Sequence, residues 1–372
     1  MAVTSATNGL TTEQPRWFTA AMRKIVIGGL VLLAVYLGFA PVAVDPVVWH
    51  PKVDPGFTGV YASNDLLKSA EWFFKEWPGP EAMTFDAQGA LVAGLVDGRI
   101  VRANVADKKF DVLANSGGHP LGLEYGPDGR LYICDGKKGL LALETNGQLT
   151  TLATEEGGVP FGFTDDLTIA QDGTVYFTDA TARFGDGTYK LDLLEHQLTG
   201  RVLKYEPTSK KLTRVASDLQ FANGIALGPD ETWLVVVETG SYQLRRVFVS
   251  GPRAGEKEMF IENLPGFPDN VTYSKESNTF WVAVGSPRNP LVDALADKPF
   301  WRKVIARLPD ALQPAPERHA FVLGVDPQGK VTHNFQYRSA DSYSPVASAV
   351  EHEGHLYMGS FFQVGVGQFK LP

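Results

Sequence analysis

Six times between Phe85 and Phe361 the chain repeats one local pattern, a polar turn followed by alternating apolar residues. The copies are FDAQGALVAG (85–94), YGPDGRLYICD (125–135), IAQDGTVYFTD (169–179), LGPDETWLVVVE (227–238), YSKESNTFWVAV (273–284) and EHEGHLYMGSF (351–361). Turn residues flanked by period-two hydrophobicity specify hairpins, because successive side chains on a strand point to opposite faces. A spacing of about 40 to 50 residues, stretched where insertions fall, is what one four-stranded blade requires. The pattern predicts an all-β chain, a six-bladed β-propeller over residues 45–372. The single cysteine, Cys134, excludes an intrachain disulfide and reads as a small core residue of an apolar strand. Ring closure must then come from strand pairing, most simply with a segment of the 57–75 region completing the last blade.

The innermost strands of a propeller converge on its axis, so side chains at corresponding strand ends of different blades can surround one point. Four short stretches place oxygen donors there: Glu81 in GPEAM, Asp165 in FTDDL, Asn223 in FANGI, and Asp269 with Asn270 in FPDNV. Hard donors of mixed charge suit Ca2+, which takes about 6 to 8 oxygens in irregular geometry. Asp-Gly and Asn-Gly pairs are ordinarily turns, and Asp128-Gly129 and Asp172-Gly173 are read as such. Asn223-Gly224 instead precedes an apolar strand, in a different phase from those turns.

From about Pro80 to its C-terminus the chain resembles the calcium-dependent propellers that include the senescence marker protein/gluconolactonase group, the paraoxonases and the strictosidine synthase-like proteins. The likeness is densest in FTDDLTIAQDGTVYFTDAT (163–181), RRVFVSGPRAGEKEMFIENLPGFPDNV (245–271) and VEHEGHLYMGSF (350–361). It implies metal ligation by Glu81, Asp165, Asn223 and Asp269, with Asn270 as a fifth ligand. Asp165 is a departure, since asparagine is common before the aspartate at this place. Three acids with one cation leave the cluster near minus one. A second, structural calcium of the paraoxonase kind would want an acid after Glu81, where Ala82 stands, so one Ca2+ site is expected.

A cation at the floor of a funnel polarises a carbonyl oxygen, and calcium-dependent hydrolysis of carboxylic esters or lactones, of arylesterase type, is the expected activity. Asp269 is a candidate nucleophile or base, and His119 in GGHPLGLEYG a second candidate base. Paraoxonase-like enzymes place the histidine directly before the Gly-aliphatic pair. Leu121 holds that position in this chain, and His119 lies two residues earlier. Strictosidine synthase chemistry, an amine-aldehyde condensation, uses a glutamate in the last blade where this chain has Ala347. A non-catalytic receptor or adaptor that keeps calcium as a structural pin is the other alternative. Neither a G-x-S-x-G elbow, a P-loop nor a zinc pattern is present.

The net charge of -8 and the lack of a basic stripe argue against nucleic acid. Residues 25–44 contain no charge and are long enough to cross a bilayer as a helix. Arg16, Arg23 and Lys24 precede this run and Asp45 follows, which predicts a signal anchor with residues 1–24 as a disordered cytoplasmic tail and the propeller on the extracytoplasmic side. A cleaved signal peptide is the alternative, disfavoured by the length of the run and by Pro41 after Ala40. Two insertions could shape the funnel mouth. One, between Phe184 and Gly200, has Leu191, Leu194 and Leu198 on one helical face. The other, 290–316, carries an apolar stripe of Leu295, Trp301, Val304, Ile305 and Leu308 that suits a lid, a membrane surface or a blade edge. An apolar lid favours small aromatic or acyl substrates over free sugars. The sequon at Asn270 is discounted, since a ligand on the axis cannot carry a glycan.

Overall fold

A computed structural model describes residues 16–372, and its β-strands form six four-stranded antiparallel sheets and one short ribbon that pairs Glu155–Glu156 with Val159–Pro160. Blade 1 runs from Met83 to Asn115, blade 2 from Pro120 to Ala153, blade 3 from Thr164 to Leu219, blade 4 from Ala222 to Ile261 and blade 5 from Gly266 to Tyr337. Blade 6 combines Ser348–His352, His355–Gly359 and Val364–Lys370 with an outermost strand from the other end of the chain, Glu71–Pro78. Glu71 pairs with Gln368 and Trp72 with Gly367, so strand pairing closes the ring, with the strand beginning near the end of the expected 57–75 region. All six hairpin signatures join the first and second strands of a blade.

Blades pack face to face through the apolar halves of their alternating strands. Between blades 4 and 5, for example, Trp233 and Phe260 meet Phe280 at ring distances of 5.6 and 5.5 Å. Cys134 is free and wholly buried, as its strand pattern predicts.

The described residues hold four α-helices, α1 (Arg16–Phe39) before the first strand and α2 (Lys190–Glu195), α3 (Pro290–Ala294) and α4 (Pro299–Ala306) between strands. Of the expected tail 1–24, residues 1–15 lie outside the described residues, and the helix already begins at Arg16. Its apolar part, Met22–Phe39, is a candidate membrane span whose side chains touch little of the propeller. The helix ends at Phe39, before Pro41, five residues short of the end of the expected span 25–44, and Val44 is buried.

α2 buries two acids beside its half-buried Leu191 and Leu194. Asp192 and Glu195 are fully buried whereas Leu198 is 54% exposed. The Arg183 guanidinium donates to both oxygens of Glu195 at 2.7 and 2.9 Å, and Gln220 Nε2 donates to Asp192 at 3.1 Å. The helix ends at Glu195, so the expected stripe keeps only Leu191 and Leu194, and the buried carboxylates are satisfied by side chains from elsewhere in the blade face.

The segment after α1 straps the same region. Val47 N donates to Glu195 O at 3.0 Å, Trp49 N donates to Ala296 O at 3.3 Å, and the Trp49 ring stacks on His196 at 3.8 Å. Burial drives the His196 pKa down to about 3, so the imidazole is neutral in that stack. Trp49→Ala is expected to cost about 1 to 2 kcal/mol, read as a lower urea midpoint with an unchanged m-value.

Candidate metal centre

Two devices recur at the entries of the innermost strands of blades 2 to 5. The first is an acid that ends the second strand of the same blade and accepts backbone N–H groups from the residue leading into the first. Asp135 takes His119 N at 2.9 Å, Asp179 takes Phe163 N at 3.0 Å, and Glu238 takes Gln220 N at 3.0 Å. Each clamp pins the backbone beside a candidate site residue. The second device is a break in pairing register: between Thr164 and Leu167, between Ala222 and Ile225, and between Pro268 and Val271. A bulge leaves residues unpaired and re-aims their side chains. The residues inside these three irregularities are Asp165-Asp166, Asn223-Gly224 and Asp269-Asn270.

The strand entries crowd together on the axis. A Cβ on Gly224 would lie 2.5 Å from Asn270 Cα, and one on Gly122 would lie 2.7 Å from Asp166 Cα, so glycine is required at both positions for neighbouring blades to approach. Asn223 Nδ2 donates to Asp269 Oδ1 at 2.8 Å. Thr178 Oγ1 donates to Asn223 O at 2.7 Å and holds that loop in place. Ser348 Oγ donates to the Glu81 carbonyl, which ties blade 1 to blade 6.

The electrostatics of this centre are those of crowded acids. Burial, then the charges of Asp269 and Asp165, push the Glu81 pKa well above the carboxylate range. Burial, then Asp269 and Asp166, do the same to Asp165. Asp269 is pushed up to about 7 by burial, against a lowering by the Asn223 hydrogen bond. Asp166 also rises to about 7 through burial, although it accepts the N–H groups of Ile225 and Leu167 at 3.0 and 2.9 Å.

Among the described residues no group of three histidine, cysteine, aspartate or glutamate side chains could hold a metal ion by itself. The candidate set differs in that amides complete it. Glu81 Oε2, both carboxylate oxygens of Asp165, and the Oδ1 atoms of Asn223 and Asn270 are buried without a hydrogen-bond partner. Buried oxygens are rarely left so. Five such atoms on four blades, all hard and partly anionic, fit an oxygen-seeking divalent cation.

Above these residues lies an apolar vault. Leu121, Phe163, Phe221 and Phe361 pack there with Tyr189, which precedes α2. Tyr189, whose ring stacks on Phe163 at 5.7 Å, has its pKa raised by burial and then by the charges of Glu81 and Asp269. His119 lies under the same vault, fully buried, with its ring 5.0 Å from that of Phe361. Its Nδ1 is 3.4 Å from Asp186 Oδ1, and Lys137 pairs with the same carboxylate at 3.0 Å. The His119 contact, followed by Lys137, holds the Asp186 pKa down near about 2.

Two family models match this chain, Strictosidine synthase over residues 165–252 and the N-terminal part of the Strictosidine synthase-like proteins over 59–103. The adipocyte plasma membrane-associated protein of Rattus norvegicus is 34% identical over 343 residues, covering 86% of this chain and 90% of the relative. Strictosidine synthase-like 6 of Arabidopsis thaliana is 34% identical over 299 residues, covering 78% of this chain and 79% of the relative. The chain belongs to the strictosidine synthase-like family. Solved structures similar to this strictosidine synthase-like propeller include a gluconolactonase of Xanthomonas campestris, with a TM-score of 0.60 at 18% identity over 88% of this chain and 98% of the other. The calcium-binding protein regucalcin of Agrobacterium tumefaciens matches with a TM-score of 0.52 at 18% identity, over 83% of this chain and 95% of the other. At such identities the likeness is one of fold.

Of the sequence candidates in this strictosidine synthase-like chain, Glu81, Asp165, Asn223, Asp269 and Asn270 all stand at strand entries on the axis, and His119 lies beneath the same vault. Sequence reasoning missed Asp186, Tyr189 and the three clamping acids. The clamps carried a signal, since Asp135, Asp179 and Glu238 each end a hairpin signature with a charge after an apolar run. Asp186 and Tyr189 carried none, because they enter from an insertion.

Proposed function

We propose that this protein is a calcium-dependent hydrolase of carboxylic esters or lactones, arylesterase-like, anchored in a membrane by α1 with its N-terminus cytoplasmic. The observation that supports the reading best is the set of partnerless buried oxygens on Glu81, Asp165, Asn223 and Asn270, lying beside Asp269. Calcium bound there would polarise the substrate carbonyl and stabilise the negative charge that develops on its oxygen. Asp269 is the candidate nucleophile or base, oriented by the Asn223 amide. His119 faces Asp186 with Nδ1 at 3.4 Å, and both its ring nitrogens lack a hydrogen-bond partner, so either could take or give a proton. The aromatic vault of Phe163, Tyr189, Phe221 and Phe361 excludes water and suits an aromatic or acyl group.

The burial of every one of these groups favours, as a second reading, a non-catalytic receptor in which the ion only pins the blades. The condensation reading is weakened by Ala347, a buried residue with no proton to exchange at the place of the required glutamate.

Hydrolysis of phenyl acetate and of a series of lactones, assayed with calcium and with EGTA, separates these readings. The expected result is a loss of at least about 100-fold in kcat/KM on chelation, restored by added calcium. Stoichiometric calcium binding with no hydrolysis of any ester or lactone would favour the receptor.

A further inference from the structure

Antiparallel strands alternate in direction, so the six first-to-second turns lie on one face of the ring. The entries of the innermost strands and the second-to-third connections lie on the opposite face. Glu81, Asp165, Asn223 and Asp269 therefore stand toward the face that carries α2, between the second and third strands of blade 3, and α3 and α4, at the same place in blade 5.

The candidate membrane span ends against that face. Arg307, which follows α4, donates through Nε to Ala40 O at 2.6 Å and through Nη1 to Leu37 O at 2.8 Å. Lys303 pairs with Asp45 at 3.0 Å. α4 also turns its Arg302 inward, where the guanidinium donates to Leu194 O of α2 at 3.0 Å. The opposite side of α4 is apolar and uncovered. Phe300 and Trp301 are 52% and 53% exposed, with rings 5.4 Å apart, and Leu312 on the same excursion is 67% exposed. Propeller packing does not use this surface. Aromatic side chains beside the end of a transmembrane helix belong to the chemistry of the bilayer interface, where the ring is apolar and the indole N–H reaches water or a headgroup.

We propose that residues 290–312 seat the propeller on the bilayer that α1 spans, with Phe300 and Trp301 in the headgroup region, so that the candidate site faces the membrane. This rests on reading α1 as a membrane span. The occupant is lipid because the patch is continuous with that span. The basic groups of α4 are spent on protein, Lys303 on Asp45 and Arg302 on Leu194 O, and Lys298 pairs with Asp297 at 2.6 Å. Apolar contact therefore carries the seating, which needs no anionic lipid and is insensitive to salt.

The test uses the full chain in phosphatidylcholine nanodiscs, labelled with an environment-sensitive NBD probe at single introduced cysteines, Cys134 being buried. Phe300→Cys and Leu312→Cys report the patch. Leu32→Cys reports α1, and Val112→Cys on the outer strand of blade 1, 52% exposed, serves as the aqueous reference. A nitroxide-labelled lipid is expected to quench the probes at 300 and 312 at least twofold more than at 112, unchanged by high salt. Quenching at 32 with 300 and 312 behaving like 112 would overturn the seating and leave the anchor standing. A probe at 32 that lipid does not reach would overturn both. Shielding at 300 that grows with protein concentration without lipid quenching would assign the patch to a second copy of the chain and also overturn the proposal.

Discussion

Asp269→Asn is expected to lower kcat for ester or lactone hydrolysis by about 1,000-fold while leaving the fold intact, the scale set by removing a positioned base or nucleophile. The substitution keeps the size of the side chain and its place opposite Asn223, whose amide now donates to the carboxylate at 2.8 Å. An asparagine oxygen can still accept that bond and can still ligate calcium, though with one negative charge fewer, so calcium affinity should weaken far less than turnover. His119→Ala, measured beside it, is expected to cost about 100-fold in kcat, because the imidazole would relay a proton without itself contacting calcium. The informative comparison is kcat at saturating calcium with folding followed by circular dichroism. Equal activity of Asp269→Asn and the wild type would remove Asp269 from the chemistry, and full activity of His119→Ala would do the same for the histidine.

Chelation should make stability fall steeply with pH. Without a cation, Glu81, Asp165 and Asp269 have folded pKa values above their unfolded ones, through burial first in each, with repulsion by neighbouring acids adding to it for Glu81 and Asp165, and with the Asp269 value about 7. Between about pH 4 and 7 the folded chain therefore binds more protons than the unfolded chain, and stability decreases as pH rises through that window. For Asp269 the rise to about 7 makes the chelated protein less stable at pH 8 than at pH 4. Calcium should restore the loss at pH 8 and add little at pH 5, where protons compete for the same oxygens. Thermal melts at pH 5 and pH 8, each with EGTA and with calcium, give the four values needed. A chelated protein whose melting temperature is flat across this range would contradict the convergence of the three carboxylates.

The reach of the sequence differs from residue to residue for physical reasons. Six hairpins were legible because period-two alternation is a property of neighbouring residues, and a turn such as Asp172-Gly173 declares itself locally. The oxygen donors were legible as residue types at strand entries. Their exact aim was not, because it depends on register breaks between paired strands, as at Thr164 to Leu167 against Phe177 to Asp179. The burial of Asp192 and Glu195 in α2 was not legible for a related reason. A short helix takes its inward face from whatever partners the surrounding fold offers, and Arg183 and Gln220 offered partners to Glu195 and Asp192.

By itself, then, the chain's local chemistry determined a ring of six blades, the kinds of atom at its axis and an apolar N-terminal segment of spanning length. Only the tertiary structure decided that Glu71–Pro78 closes the ring, that Asp186 faces His119 and Tyr189 packs on Phe163, and that α4 lies against the end of α1. Those are contacts between segments far apart in the chain, where the free energy of burial and charge pairing depends on what the folded neighbour supplies and not on the order of residues nearby.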